Sequence, residues 1–275
     1  MNRKLIRSTA LGLFALACIL PSALFAKERA LELAAPFGDH AILQQGMPVP
    51  VWGWASPGTR VTVEFAGQKS SAKADAEGKW TAELKPLKAN AEGATMTITG
   101  GGASFSLKDI LVGEVWLASG QSNMQWIANK SSAVAIAKQL DDKSNAEGKK
   151  VPIREFKVTN YFAHLHPIEH AEGEWSQDYG NYSAVSLAFA EKLYRELGVP
   201  IGILNCSFSQ TAIEAWTPRV GYENSKLDYN KKIETKLLET DPSTAEHKKA
   251  WNDFYSRIMD AVNENQKIAN VGDNQ

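Results

Sequence analysis

Between Leu31 and about Lys108, apolar and polar residues alternate with the period of two that a β-strand imposes. Val61, Val63 and Phe65 point one way while Thr62 and Glu64 point the other, as in a half-buried antiparallel strand. Comparable runs are AILQQ, PVPVWGWA, KWTAELKPL, ATMTITG and ASFSLKDI. Turn residues separate them: Gly46-Met47-Pro48, Ser56-Pro57-Gly58, Asp75-Ala76-Glu77-Gly78 and Gly100-Gly101-Gly102. Several short strands at this spacing predict a small β-sandwich over residues 27–109. Trp52, Trp54 and Trp80 lie in these strands and are expected to fill its core rather than form a sugar-stacking platform, since large aromatics usually bury most of their area.

At Ile110 the pattern changes. From Ile110 to Ala118 nearly every position is apolar, Gly113 and Glu114 excepted, as in a parallel strand covered on both faces. The run breaks at Ser119-Gly120-Gln121-Ser122-Asn123. Val185, Ala188, Phe189, Leu193 and Leu197 then recur at helical spacing, with Gly198 and Pro200 as stop signals, and a short apolar strand follows from Ile201 to Asn205. Strand, helix and strand in this order predict a parallel α/β layer. Beyond Trp216 the chain turns polar and helical; Ser243 and Glu246 form a capping-box pattern ahead of Trp251, Phe254, Ile258 and Val262. Two strands leave a parallel sheet with open faces and edges, so residues 110–275 read as an incomplete α/β domain with a helical insertion from about 220.

The first 26 residues change the picture of where the protein works. Arg3, Lys4 and Arg7 precede an apolar run from Ala10 to Leu20, then Pro21, Ser22 and small residues up to Ala26. This is the pattern of a secretory signal peptide cleaved near Ala26, predicting a secreted or periplasmic protein without stable membrane insertion. Cys18 as a lipoprotein cysteine fits less well, because the apolar stretch continues through Ile19, Leu20 and Leu24. Of 275 residues, 30 are Lys or Arg and 31 are acidic. Losing the leader removes three positive charges and no negative ones, leaving 27 against 31. No basic excess remains for a nucleic acid partner. With Cys18 in the leader and only Cys206 besides, no disulfide framework forms in the mature chain.

Gly120-Gln121-Ser122-Asn123, directly after a buried strand, is the pattern a nucleophilic serine needs. Glycine permits a tight turn, the serine stands clear of the strand's C-terminal end, and the following backbone can offer N–H groups to an oxyanion. A plain polar turn has the same composition. His164, His166 and His170 cluster around Pro167, which interrupts any regular element, so a solvated loop is the expected reading and no metal or cofactor is predicted. Cys206, ending a buried strand, reads as a small packed hydrophobe.

Four collinear blocks decide between a nucleophile and a turn: FGDHAILQQGMPVPVWGWASPG, DAEGKWTAELKPL, LVGEVWLASGQSNMQW and SAVSLAFAEKLYRELGVPIGILNCSFSQTAIEAWTP. In these the sequence resembles the sialate O-acetylesterase family of the SGNH-hydrolase superfamily. The resemblance implies a β-sandwich followed by a flavodoxin-like α/β (SGNH hydrolase) domain, and an exported carbohydrate esterase that removes O-acetyl groups from sialic acid or other sugars without a metal. It implies Ser122 as nucleophile and the backbone N–H groups of Ser122 and Ser209 as oxyanion donors. Gln121, Asn123, Gln210 and Thr211 would contact the acetylated carbohydrate; Glu214 and Trp216 either line its pocket as well or open a helix that packs Trp216 into the core. The family's Trp-Gly-Gly-Thr stands here as Phe208-Ser209-Gln210-Thr211, and a glycine with positive φ is costly to replace. The family's later Trp-Tyr-Gln-Gly-Glu-like segment and its Asp and His pair have no counterpart before Gln275, so the resemblance implies the N-terminal portion of a longer chain. A catalytically inactive glycan-binding relative is the alternative.

Overall fold

A computed structural model describes residues 29–159, 170–211, 216, 244–246, 248–250, 252, 253 and 256. The expected leader peptide, Glu214, His164, His166 and His247 lie outside the described residues, as does most of the expected C-terminal helix, for which helical backbone is described at 245–246, 248–250, 252–253 and 256.

The alternating segment folds as β1 (Glu32–Leu33), β2 (Ile42–Gln44), β3 (Val49–Trp54), β4 (Arg60–Phe65), β5 (Gln68–Lys73), β6 (Lys79–Leu84), β7 (Asn90–Gly100) and β8 (Ala103–Gly120). Val61, Val63 and Phe65 are buried and Glu64 is exposed, as the alternation requires. A three-stranded sheet, β1-β3-β6, faces β4, β5, β7 and the first half of β8 across one core that joins Val51, Trp54, Trp80 and Leu84 to Val61, Val63, Met96 and Ile98. Each such aliphatic side chain contributes roughly 1.5–3 kcal/mol by leaving water. Trp54 and Trp80 fill this core, whereas Trp52 remains 38% exposed and meets Phe37 edge-on.

The second layer of this core is not a separate sheet. It is one end of an eight-stranded sheet ordered β10-β9-β11-β8-β7-β4-β5, with β2 paired to β8 off this path, completed by β9 (Ile153–Val158), β10 (Gly173–Ser176) and β11 (Ile201–Ser207). The long strand β8 joins the two ends: its first half pairs antiparallel with β7, and its second half pairs parallel with β11. The expected boundary at 109/110 thus falls inside a strand, at a bulge. Between Ala94↔Ile110 and Met96↔Leu107, β8 carries one residue more than β7, and Asp109 takes up the excess at φ 55°. Asp109 there accepts from Arg154 Nη2 at 2.6 Å and lies 2.8 Å from His40 Nδ1, while Arg154 Nη1 donates to the carbonyls of His40 and Asp109.

Beyond this point a second core gathers Ala118, Leu140, Ile153, Tyr179, Tyr182, Leu187 and Ile203. It lies between the sheet and two helices, α2 (Val134–Glu147) and α3 (Ala184–Leu197); a one-turn helix, α1 (Ser122–Gln125), follows β8. Helix α3 starts at Ser183, whose Oγ accepts from Ser186 N, and stops at Gly198 with φ 67°, as the stop signals predict. Its inward face differs from the expected stripe: Leu187 and Ala190 are buried, while Val185 and Phe189 are exposed. Strand β8 is covered on both faces only to Gly113; Trp116 is 44% and Leu117 71% exposed. Among the described residues β11 is the only strand paired with β8 past that point, where Gln44 Oε1 accepts from Val115 N at 2.8 Å and Trp116 meets Phe189 of α3 edge-on.

Candidate active site

Two strand ends build the site. Strands β8 and β11 run parallel in register, Asn205 opposite Ala118 and Ser207 opposite Gly120, so both chains leave the sheet at the same level. Gly120 turns the first chain with φ 141°, a conformation open to residues without a side chain. Gln121 precedes α1, and Ser122 is its first residue, half-buried. The N–H groups opening a helix have no intrahelical acceptor; Met124 N and Gln125 N donate to Gln121 O, and those of Ser122 and Asn123 have no acceptor among the described residues. Ser122 Oγ donates to Gln121 Oε1 at 3.3 Å.

The second chain folds over the first. Phe208 N donates to Gly120 O at 3.0 Å, and Ser209 N donates to Gln125 Oε1 at 2.8 Å. Thr211 Oγ1 donates to Phe208 O, closing the 208–211 turn, and accepts from Trp216 Nε1, each at 2.8 Å. Gln210 is exposed and holds φ 63°. The left-handed backbone is present with glutamine at the position, at a cost of roughly 1–2 kcal/mol. Of the residues predicted for the site, Gln121, Ser122, Asn123, Ser209, Gln210, Thr211 and Trp216 therefore belong to one connected turn region. Trp126, 57% exposed, borders it with its indole N–H tied to Lys130 O at 2.7 Å.

Sequence reasoning missed Gln125 and Glu155. Gln125 lies one helical turn past Ser122, a spacing that puts both on one face and was a usable signal. Glu155, on β9, is 2% exposed; its Oε2 accepts from Ser183 N at 3.1 Å and it hydrogen-bonds Asn205, whose Oδ1 accepts from Ser207 Oγ at 2.6 Å. Burial pushes its carboxyl up to about 7, against the opposing pull of Asn205, the Ser183 N–H and Lys157. Ser183 and Ser186 in turn donate to Met124 Sδ, both at 3.4 Å, which links this buried acid to α1. Burial also pushes the Cys206 thiol up, away from the thiolate a cysteine nucleophile needs.

The two described histidines are engaged elsewhere: His40 with Asp109, and His170 stacked on Trp54 at 3.8 Å with its Nε2 2.9 Å from Arg29 Nη2. Among the described residues no group of three or more His, Cys, Asp or Glu side chains is arranged to hold a metal ion.

No family model matches the chain. It is, however, 32% identical over 205 residues to mouse sialate O-acetylesterase and 30% identical over 226 residues to the human protein, alignments covering 67% and 74% of this chain. A solved carbohydrate acetylesterase from Xanthomonas citri superposes with a TM-score of 0.63 at 33% identity, over 71% of this chain. The chain belongs to the sialate O-acetylesterase family. It spans 37% of the mouse protein, 42% of the human one and 44% of the Xanthomonas citri chain. With this sialate O-acetylesterase relationship, the mixed sheet and its helices are those of an α/β hydrolase-like domain. Among the described residues no helix is long and apolar enough to cross a membrane.

Proposed function

We propose that the protein is an exported carbohydrate esterase that removes O-acetyl groups from sialic acid or another sugar, with Ser122 as nucleophile. One observation carries the reading: the half-buried Ser122 heads α1 at the C-terminal end of a parallel strand, with the 208–211 turn of the neighbouring strand bonded against it. Ser122 Oγ attacks the acetyl carbonyl as a base takes its proton. The tetrahedral oxyanion is met by backbone N–H groups of the Ser122 turn and the 208–211 turn, and the sugar hydroxyl leaves with a proton. Water then attacks the acyl-serine and releases acetate. The base is a histidine, as the family resemblance implies. Asn123, Thr211, Glu214 and Trp216 are the proposed sugar contacts, and Gln121 shares a hydrogen bond with the nucleophile.

The test compares the protein from its full reading frame with its Ser122→Ala variant. Acetate release from O-acetylated sugars and fluorophosphonate labelling should both be lost, by about three or more orders of magnitude for release, with the fold retained. An unchanged rate in Ser122→Ala removes Ser122 as nucleophile. The replaced glycines at Ser209 and Gln210 favour a second reading, a glycan-binding relative without turnover. Binding of O-acetylated glycans with no labelling of Ser122 in the wild-type protein is the result that selects it.

A further inference from the structure

We infer that Gln125 is a positioning residue for the oxyanion site: its carboxamide oxygen, held on the Ser209 N–H, fixes the 208–211 turn against the helix that carries Ser122. The inference rests on Ser122 being the nucleophile.

Two of the described hydrogen bonds anchor the 208–211 turn on the β8 side. One is Phe208 N to Gly120 O, at the strand level; the other is Ser209 N to Gln125 Oε1, which reaches α1 itself. Thr211 Oγ1 closes the turn on Phe208 O and touches neither β8 nor α1. The contact from Gln125 is thus the described hydrogen bond that ties the turn to the helix carrying Ser122. Such a tie matters here because Gln210 holds a left-handed backbone without the glycine that would adopt it freely, and a strained residue persists only where its surroundings over-determine it.

The bond also assigns the donors. Ser209 N–H is spent on Gln125, whereas the N–H of Gln210, the next along the turn, has no acceptor among the described residues. Gln125 therefore leaves Gln210 N–H to meet the developing negative charge beside Ser122 N–H. A donor helps the transition state only when it is already aimed at the place where charge appears, so loosening the turn lowers turnover more than substrate binding.

Gln125→Met keeps length and bulk but removes the acceptor; Gln125→Glu keeps an acceptor oxygen at the same reach. Both are compared with wild type and Ser122→Ala in the protein from its full reading frame, by kcat and KM on an acetyl ester, fluorophosphonate labelling rate and thermal midpoint. Losing one oxyanion donor outright costs about 100- to 1,000-fold, so a loosened turn is expected to cost Gln125→Met at least about tenfold in kcat and labelling, with KM within about twofold. Gln125→Glu should recover most of that loss. Two results overturn the inference and leave Ser122 in its role: a Met variant at or above the wild-type rate, which would make the carboxamide idle or an obstruction, or equal losses in both variants with a lowered midpoint. A wild type as inert as Ser122→Ala overturns it together with the proposed nucleophile.

Discussion

Glu155 buries a carboxyl group beneath the site, and the consequence can be worked out for stability. The group is 2% exposed and titrates at about 7 instead of the ordinary 4.5, because burial penalises its charged form more than Asn205 and the Ser183 N–H relieve it. Below pH 4.5 both folded and unfolded chains carry the proton and nothing is lost. Between 4.5 and 7 the unfolded chain has released it and the folded one has not, so stability falls as pH rises through this window and levels off above it. At 1.36 kcal/mol per pH unit the loss is about 3 kcal/mol. Glu155→Gln stays neutral at every pH and keeps an acceptor for the Ser183 N–H. Urea unfolding followed by tryptophan fluorescence at pH 5, 6, 7 and 8 should show the variant within about 1 kcal/mol of wild type at pH 5 and more stable by up to about 3 kcal/mol at pH 8. A stability difference that does not change with pH, or a variant weaker than wild type at pH 8, would refute the assignment of the penalty to this carboxyl.

Two further substitutions probe backbone strain and the junction between the cores. Gln210→Gly should raise stability by about 0.5–1 kcal/mol, the left-handed relief less the extra freedom of glycine in the unfolded chain, read as a higher urea midpoint with unchanged slope. Arg154→Met should lower stability by about 2 kcal/mol, since it removes the donor to the His40 and Asp109 carbonyls while Asp109, 38% exposed, can still turn its charge to water; a loss below about 0.5 kcal/mol would mean that the guanidinium is not holding the bulge.

How far the sequence reveals this structure depends on whether one element's own pattern suffices. Val61, Val63 and Phe65 announce β4 because alternation is a local property, and Ser183 with Gly198 brackets α3 for the same reason. Strand β9 escaped notice since Arg154 and Glu155, both buried, interrupt the apolar run that marks a covered strand; their partners Asp109, Asn205 and Ser183 are distant in sequence. Helix α2 buries only Ala137, Leu140 and Ser144 and has no side-chain cap, so it leaves almost no periodic trace. Which face of α3 turns inward was equally hidden, because Leu187 and Ala190 are no more apolar than Val185 and Phe189 and only the sheet decides between them. At the site, the turn at Gly120 was legible from its own residues; a positive φ was expected at one of the two replaced glycines without saying which, and Gln210 holds it. The engagement of Ser209 by Gln125 joins residues 84 positions apart and had no local signature.

The unbroken run of β8 through both cores has a bearing on how the protein could be taken apart or recombined. A designer who cut at residue 109 to isolate the hydrolase-like layer would sever a ladder midway, stripping β8 of β7 and exposing Ile110, Leu111 and Val112. The same cut would leave Arg154 facing two carbonyls that had departed with the other half. Grafting another β-layer onto this serine would have to reproduce the bulge at Asp109, since a shift of one residue there would turn every later side chain of the strand, up to Gly120, onto the opposite face. One strand therefore ties the two cores together, and a recombination that keeps both would have to leave it whole.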